Sequence, residues 1–255
     1  MTSLTFNRIP KCHFRGISLP EGEPQHCPHC IANKLNYCGA VDQDLGTQLQ
    51  AIVTRIRFER GQTLFTQEDS ADYIFVLFSG VVSCSHYMAD GRRQIMAFLF
   101  PGDYAGMATG EHYRNSGEAV TDGEICRFPR GPFHKLLMNF CDFEKHFFQE
   151  VSNELAEAEK HVLILGRKDA LERVATFLLM LDERENRYGD GHDIELPMVR
   201  ADIADYLGLT VETVSRALTK LRKSGVIAVP DAHAVRIMDS DGLQELAAEG
   251  IPSHL

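Results

Sequence analysis

Residues 207–223 read Leu-Gly-Leu-Thr-Val-Glu-Thr-Val-Ser-Arg-Ala-Leu-Thr-Lys-Leu-Arg-Lys, a pattern typical of a tight turn followed by a helix. Gly208 suits the turn because glycine takes a positive φ angle without steric cost. Thr210 is a good N-cap residue, because its hydroxyl accepts a hydrogen bond from the first helical turn. A short apolar helix over residues 200–207 precedes the turn, so the stretch predicts a helix-turn-helix. Helical spacing predicts one buried stripe on the second helix, formed by Val211, Val214, Leu218 and Leu221.

The second helix also carries a polar face near its start. Glu212, Ser215 and Arg216 stand at positions i, i+3 and i+4, so they share one side of the helix. This end of a helix-turn-helix meets base edges, where arginine binds guanine and glutamate accepts from cytosine or adenine amino groups. The alternative interpretation is an ordinary surface helix with an Arg–Glu pair. The predicted DNA-binding set comprises Thr210, Glu212, Thr213, Ser215, Arg216 and Lys220.

Two short strands, residues 226–229 and 234–238, follow this helix and predict a wing. The run over residues 202–216, Asp-Ile-Ala-Asp-Tyr-Leu-Gly-Leu-Thr-Val-Glu-Thr-Val-Ser-Arg, resembles the helix-turn-helix signature of the CRP/FNR family of bacterial transcription regulators. Its Glu-x-x-Ser-Arg triplet resembles the FNR branch. The resemblance implies a pseudo-palindromic site on double-stranded DNA with TTGA-like half-sites, read by Glu212, Ser215 and Arg216.

The charge of the chain is unevenly distributed. The 255 residues carry a formal net charge of −10, which by itself does not suggest a nucleic-acid binder. Residues 216–223 nevertheless hold four positive side chains and no acidic one, and local charge sets the affinity for phosphate. The acidic remainder is expected to keep non-specific DNA binding weak.

The first twenty residues contain no long apolar segment, and no run reaches the length of a membrane span. We therefore expect a cytoplasmic protein without a membrane partner. In that compartment the seven cysteines are expected to be reduced, which favours metal or redox roles over structural disulfides.

From residue 57 to residue 128, short strands are broken by glycine and aspartate, a pattern that favours a β-barrel or jelly roll. A helix over 45–56 is predicted first, and the predicted strands are 62–65, 73–78, 81–87, 94–98 and 125–128. Residues 61–65, 78–80 and 101–103 (Gly-Gln-Thr-Leu-Phe, Phe-Ser-Gly and Pro-Gly-Asp) resemble the sensor barrel of the same family. The predicted fold class is α+β. It comprises a cysteine-rich segment (1–40), a cyclic-nucleotide-binding-like β-roll (41–130), a dimerisation helix (131–168) and a winged helix-turn-helix domain (169–255).

The predicted helix over residues 131–166 contains a heptad seam. Its apolar residues recur at spacings of 4, 3, 4 and 3: Val151, Leu155, Ala158, Val162 and Leu165. A protein that binds a palindromic DNA site needs two DNA-binding domains, and the family resemblance implies a homodimer. Flanking glutamates would repel one another in a parallel pair and make dimerisation adjustable. The alternative is a helix that packs only on its own barrel.

Cys27, Cys30 and Cys38 form a Cys-x₂-Cys-x₇-Cys pattern. A cubane iron–sulfur cluster usually takes four cysteine ligands, and the fourth must come from Cys12, Cys84, Cys126 or Cys141. Four thiolates also suit tetrahedral zinc, and spacing alone does not decide between the two metals. The FNR resemblance implies a [4Fe–4S] cluster completed by a lone barrel cysteine near a strand end, the place that Cys126 occupies. The second gap is longer here than in the best-known members, a difference that a loop can absorb.

The resemblance therefore implies an oxygen-responsive transcription regulator whose cluster-loaded dimer controls genes for low-oxygen growth. It also implies contact with RNA polymerase, for which Gly91 and Arg92 in the hairpin over residues 88–93 are the candidates. Two alternatives stay open: a clusterless regulator of the FixK kind, and a redox or electron-transfer protein. An enzyme is not expected, because the sequence shows neither a Gly-x-Ser-x-Gly nor a P-loop motif.

Overall fold

The computed structural model describes residues 43–108, 110–186, 193–231 and 233–248. Cys12, Cys27, Cys30 and Cys38 lie outside these residues. The helices are α1 (Gln43–Ile52), α2 (Arg130–Asn139), α3 (Cys141–Arg167), α4 (Ala170–Asn186), α5 (Arg200–Leu207), α6 (Val211–Lys223) and α7 (Ser240–Ala248). The strands are β1 (Thr54–Phe58), β2 (Thr63–Phe65), β3 (Tyr73–Ser79), β4 (Val82–Tyr87), β5 (Arg93–Leu99), β6 (Tyr104–Ala105), β7 (Ser116–Ala119), β8 (Gly123–Pro129), β9 (Asp193–Glu195), β10 (Ile227–Asp231) and β11 (Ala234–Ile237).

The first eight strands form a jelly roll of two four-stranded sheets, ordered β1-β8-β3-β6 and β2-β7-β4-β5, and not a closed barrel. All five predicted strands are present, but β1, β6 and β7 were not predicted. β7 reads Ser-Gly-Glu-Ala and shows little strand propensity, whereas β1 reads Thr-Arg-Ile-Arg-Phe and alternates as a strand does, although its first three residues fall in the range predicted as helix. Pairing on the sheets supplies what the local sequence of β7 lacks, since β7 joins β2 to β4; β1 pairs with β8.

The helical stretch predicted over residues 131–166 is two helices. The chain is extended at Phe140 (φ −124°, ψ 94°), which ends α2 and begins α3. Phe140 is partly buried against the cluster that holds Phe133 and Phe143, so packing of aromatic side chains stabilises the break. The first predicted helix, 45–56, is also wrong at its end, because residues from Thr54 onward belong to β1. Within the described part of the chain, no helix combines the length and apolar character needed to cross a bilayer.

The junction between α3 and α4 is fixed by one arginine. The guanidinium of Arg173 donates to the carbonyl oxygens of Leu165 (2.8 Å), Lys168 (2.9 Å) and Leu207 (2.8 Å). These carbonyls lie at the C-terminal ends of α3 and α5 and in the turn between α3 and α4. Arg173 thereby satisfies acceptors that a helix end leaves without an intrahelical partner. It ties the long helix to the helix-turn-helix.

The C-terminal half is a winged helix domain. α5 and α6 form the helix-turn-helix, and β10, β11 and β9 form a three-stranded sheet in that order. β9, which leads into α5, had not been predicted as part of the wing; it pairs antiparallel with β11. The wing hairpin itself agrees with the predicted strands to within two residues.

The jelly roll and the winged helix domain share one hydrophobic cluster. Four buried residues of the jelly roll, Val81, Ile95, Phe98 and Val120, belong to the same cluster as the buried residues of α4, α5 and α6. The ring of Phe98 lies 5.3 Å from that of Tyr206 in α5 and 6.2 Å from that of Phe177 in α4. The DNA-binding half is therefore packed directly onto the β4–β5 sheet.

His161 of α3 lies in this packed region and is 6% exposed. Its ring stacks on Tyr206 at 4.1 Å, and its Nε2 donates to the Tyr206 carbonyl oxygen at 2.8 Å. Burial disfavours the charged imidazolium and lowers the pKa of His161 below its ordinary value of 6.5.

We expect the free energy of unfolding to fall as the pH drops below about 6.5. The folded His161 resists a proton that the unfolded chain accepts, so its contribution is complete above that pH and is lost below it. Urea unfolding at pH 7.5 and pH 5.5 checks this. His161→Gln keeps a donor for Tyr206 and should show a smaller difference between the two pH values; an unchanged difference would assign the dependence to other groups.

Candidate nucleic-acid interface

The turn of the helix-turn-helix has the geometry that its sequence demands. Gly208 is left-handed (φ 61°, ψ 40°) and follows the last residue of α5. The backbone N–H of Leu209 donates to the Ala204 carbonyl oxygen at 2.9 Å, which closes the end of α5. Thr210 is extended and its hydroxyl accepts from the N–H of Thr213 at 3.2 Å, as an N-cap residue does. α6 therefore begins at Val211 in a fixed direction from α5.

The predicted buried stripe of α6 is wrong at its first member. Val211 is 41% exposed, whereas Val214, Leu218 and Leu221 are buried and Ala217 is buried with them. Val211 is the first residue of the helix, where the side chain projects beyond the packed turns. The spacing identified the apolar face correctly, but it carries no information on where the supporting helix stops.

Glu212, Ser215 and Arg216 are all exposed on one side of the first turns of α6, and we call them the reading face. The Ser215 hydroxyl donates to the Val211 carbonyl oxygen at 2.8 Å, which holds that side chain against the helix. The pKa of Glu212 is lowered, first because its carboxylate accepts from its own backbone N–H and then from the Thr210 hydroxyl. Glu212 is therefore an ionised acceptor at neutral pH.

The other predicted DNA-binding residues surround the reading face. Thr210 and Lys220 are exposed and Thr213 is half-buried. The last turns of α6 carry three cations: Lys220, Arg222 and Lys223. Exposed cations that flank base-reading side chains are typical of phosphate contacts, which position the protein on the duplex. The reading face therefore lies near the start of α6, and the cations lie in its last turns.

The predicted seam of α3 is an unpartnered apolar face of this chain. Leu155 is 62% exposed, Val162 68% and Val151 37%. Ala158 is also exposed and Leu165 is half-buried. Another side of the helix is covered near its C-terminal end, because His161 and Ile164 are buried against the chain itself. The helix therefore packs on its own chain with one side only, and its heptad seam faces outward.

Cys126 is the only member of the predicted ligand set among the described residues. It lies in β8 and is 0% exposed. The other two described cysteines differ in environment. Burial, followed by the charge of Glu154, raises the pKa of the Cys84 thiol to about 12, whereas Cys141 is exposed at the start of α3. Within the described ranges, no group of three or more potential ligands is arranged to hold a metal.

The hairpin between β4 and β5 presents Gly91 and Arg92 at its tip. Gly91 has φ 85°, a conformation that glycine adopts without strain, and both residues are exposed. Arg92 pairs with Asp90 of the same hairpin at 2.8 Å. The adjacent Arg93 is directed to the winged helix domain instead and contacts Asp202 and Asp205 of α5. Sequence reasoning did not find this contact, because no local pattern links residues more than 100 positions apart.

Comparison with known proteins extends the likeness over nearly the whole chain. The profile of the Crp-like helix-turn-helix domain matches residues 172–246, and that of the cyclic nucleotide-binding domain matches residues 55–140. The chain is 36% identical over 222 residues to the transcriptional activatory protein AadR of Rhodopseudomonas palustris, covering 86% of this chain and 92% of that protein. It is 34% identical over 233 residues to the nitrogen fixation regulation protein FixK of Bradyrhizobium diazoefficiens (91% and 98%). With the transcriptional activator FnrL of Cereibacter sphaeroides it shares 31% identity over 228 residues (88% and 92%).

Among solved structures, FixK2 from Bradyrhizobium japonicum superimposes with a TM-score of 0.73 at 35% sequence identity, covering 78% of this chain and 100% of that one. The reading face lies in the region matched by the helix-turn-helix profile, and most of the jelly roll lies in the region matched by the cyclic nucleotide-binding profile. The chain belongs to the CRP/FNR family of DNA-binding transcription regulators, in its FixK-like branch, and is not an enzyme.

Proposed function

We propose that this protein is an oxygen-responsive transcription regulator that binds a TTGA-type palindromic site as a homodimer and requires a [4Fe–4S] cluster for that binding. The reading face carries the DNA part of the proposal, because Glu212, Ser215 and Arg216 are exposed on one side of a capped helix. In this position an arginine can bind guanine, and a glutamate can accept a hydrogen bond from the amino group of cytosine or adenine. Relatives named as transcriptional activators, including AadR and FnrL, support activation of transcription, and the genes we propose it controls are those for low-oxygen growth.

The exposed seam supports the homodimer. A single chain leaves Leu155 and Val162 more than 60% exposed, side by side on a helix of 27 residues. A second copy of the same helix would cover both and would bring two reading faces to one side of the DNA. The two half-sites of such an operator lie about 34 Å apart, one turn of the duplex.

The residues fit a cubane cluster in donor chemistry. Cys27, Cys30, Cys38 and Cys126 supply four thiolates, the ligand set such a cluster takes. Cys126 belongs to the hydrophobic cluster that contains Leu45 and Leu49 of α1. α1 begins five residues after Cys38, so the connecting chain reaches at most about 17 Å. When bound, the cluster would supply an oxygen-labile link between the N-terminal segment and the jelly roll.

The chain around Cys126 is suited to transmit such a link. The same hydrophobic cluster includes Phe133 of α2 and Phe143 of α3, so the thiol lies beside the start of the dimerisation helix. A restraint on α1 and β8 is thereby passed to the helix that carries the seam. The glutamates along α3 repel those of a second copy and so weaken the dimer. A small restraint from the cluster is then sufficient to shift the equilibrium between monomer and dimer.

Cys126→Ser is expected to abolish the response to oxygen. A serine hydroxyl does not ionise near neutral pH and is not a cluster ligand, although its volume is almost that of cysteine. Operator affinity should then be the same with and without air, while the wild type binds more weakly after exposure to air. Anaerobic absorption spectra and iron and sulfide content report the cluster independently of DNA binding.

Cys84→Ser is the matched control, because Cys84 is also a strand cysteine, partly buried, but is outside the predicted ligand set. It should keep both the iron and the oxygen response. An intact cluster in Cys126→Ser would refute this ligand assignment, and zinc in place of iron and sulfide would establish the alternative metal.

One observation favours a second candidate, a clusterless regulator of the FixK kind. Cys126 is 0% exposed among apolar side chains, and buried cysteine often serves as a small hydrophobic residue. In that case the anaerobic protein would be colourless and would bind its operator equally well in air.

We also propose that the hairpin tip at Gly91 and Arg92 contacts RNA polymerase. The tip is exposed at the turn that joins β4 to β5. Arg92→Ala should lower activated transcription without changing operator affinity, because the side chain pairs only locally with Asp90.

A further inference from the structure

We propose that Arg93, a residue of the jelly roll, is a positioning residue for operator binding: it holds the helix-turn-helix at the angle that lets two copies engage two half-sites. This inference rests on the dimeric operator binding proposed above. The contact that carries it, the docking contact, consists of Arg93 in β5 and of Asp202 and Asp205 in α5.

The docking contact is short and joins one guanidinium to two separate carboxylates, of which Asp205 is the more exposed at 34%. The Arg93 Nη2 atom lies 2.6 Å from Asp202 Oδ1, and its Nε atom donates to Asp205 Oδ2 at 2.8 Å. The side chain of Arg93 is 21% exposed and that of Asp202 is 16% exposed. Charge-assisted pairs of this kind are directional as well as strong, because the N–H groups of the planar guanidinium point in fixed directions. Glu118 adds a third carboxylate 3.9 Å from Arg93.

Asp202 has a second role that links the contact to helix geometry. Its carboxylate also accepts from the backbone N–H of Val199 at 3.3 Å, at the residue where α5 begins. Arg93 therefore grips the group that caps the first helix of the helix-turn-helix. Because α5 and α6 pack against each other through a fixed turn, the direction of α5 determines the direction of the reading face.

Tyr206 provides an apolar pivot beside this grip. Its ring lies between Phe98 of β5 at 5.3 Å and His161 of α3 at 4.1 Å. Its carbonyl oxygen accepts from Gln94 of β5 at 3.1 Å as well as from His161. The sheet, the dimerisation helix and α5 meet at this one residue. Arg93 lies beside Tyr206, where its contact with Asp202 and Asp205 limits rotation of α5 about the Tyr206 ring.

The docked arrangement leaves the reading face uncovered. Glu212, Ser215 and Arg216 are exposed while the docking contact is made. The contact therefore supports a DNA-reading position and does not block it. Without the docking contact, a winged helix domain held by Tyr206 and the residues around it would still bind one half-site. Its distance from the winged helix domain of the second copy would no longer be fixed.

Half-site spacing is the property that distinguishes this role from a general effect on folding. The test uses full-length protein purified without air and two kinds of duplex: palindromic operators with the spacing between half-sites changed by one base pair in each direction, and a duplex with a single TTGA half-site. Wild-type protein should strongly prefer one spacing. Arg93→Gln should bind that operator about tenfold more weakly, should lose most of its spacing preference and should bind the single half-site as the wild type does.

Arg92→Gln is the matched control, since Arg92 is the neighbouring arginine and pairs only with Asp90 in the hairpin; it should behave as the wild type on every duplex. Asp205→Asn leaves Arg93 paired with Asp202 and should give an intermediate loss of spacing preference. It also keeps the test decisive if Arg93→Gln folds poorly. Adding Asp202→Asn and Asp205→Asn to Arg93→Gln should cause no further loss, because the contact is already broken.

The inference is overturned if Arg93→Gln keeps the wild-type spacing preference, or if its loss is equal on the single half-site and on the operator. Additive losses in the combined variant would also contradict it. A wild-type protein that binds no palindromic operator, or binds all spacings alike, would instead refute the proposed function itself.

Discussion

Leu155→Glu is expected to weaken the dimer by at least about 100-fold, equivalent to ~2.7 kcal/mol. Leu155 is 62% exposed in the single chain and is the second of the five residues of the predicted seam. In a parallel pair the two new carboxylates would face each other in an apolar interface, where burying an unpaired charge is costly. Glutamates already flank the seam and would add repulsion. Sedimentation equilibrium of protein kept free of air measures the change directly.

Asn153→Glu is the control for this variant. Asn153 is exposed on the same helix but on the side away from the seam, so it adds the same charge without entering the interface. It should leave the dimer intact. If Leu155→Glu sediments as the wild type does, the interface between subunits lies elsewhere and the outward-facing seam has another partner.

Arg216→Ala should bind a specific operator about 5- to 150-fold more weakly, which corresponds to ~1–3 kcal/mol for the loss of a bidentate contact with guanine. The side chain is exposed in the first half of α6, so its removal leaves no cavity in the core. The variant should also relax the choice of base at one position of each half-site. Fluorescence anisotropy with operators substituted at single base pairs checks both effects.

Arg222→Ala provides the comparison. Arg222 is exposed in the last turn of α6, in the basic end of the helix, where a phosphate contact is expected. Its loss should weaken all sequences by a similar factor and reduce the salt dependence of binding. Equal losses for Arg216→Ala on operator and on unrelated DNA would contradict base reading.

The local pattern was sufficient where short-range rules decide the structure. Gly208 and Thr210 fix the turn and the start of α6 through their own backbone and hydroxyl chemistry, and both behave as predicted. Val211 differs because exposure at a helix end depends on how far the neighbouring helix extends. The break at Phe140 depends on a distant aromatic cluster, and the helical pattern runs through it without a glycine or proline.

The parts that sequence reasoning missed are those created by long-range contacts. β7 has little strand propensity of its own and exists because strands on both sides pair with it. Arg93 follows a hairpin and looks like one of two equivalent surface arginines, but the fold places it against two carboxylates and its neighbour Arg92 against solvent. Only the packing of the complete chain separates their roles.

The hydrophobic cluster shared between the jelly roll and the winged helix domain has a consequence for how the chain can be taken apart. Ile95 and Phe98 are 0% and 5% exposed, and both belong to the hydrophobic cluster formed with α4, α5 and α6. A fragment that ends before α4 would expose this apolar surface to water. A DNA-binding domain taken from another protein and joined to the jelly roll would meet a surface that is complementary to a different domain. The two halves are thus not interchangeable modules, and a chimaera of this regulator must carry its own β5 together with its own α5.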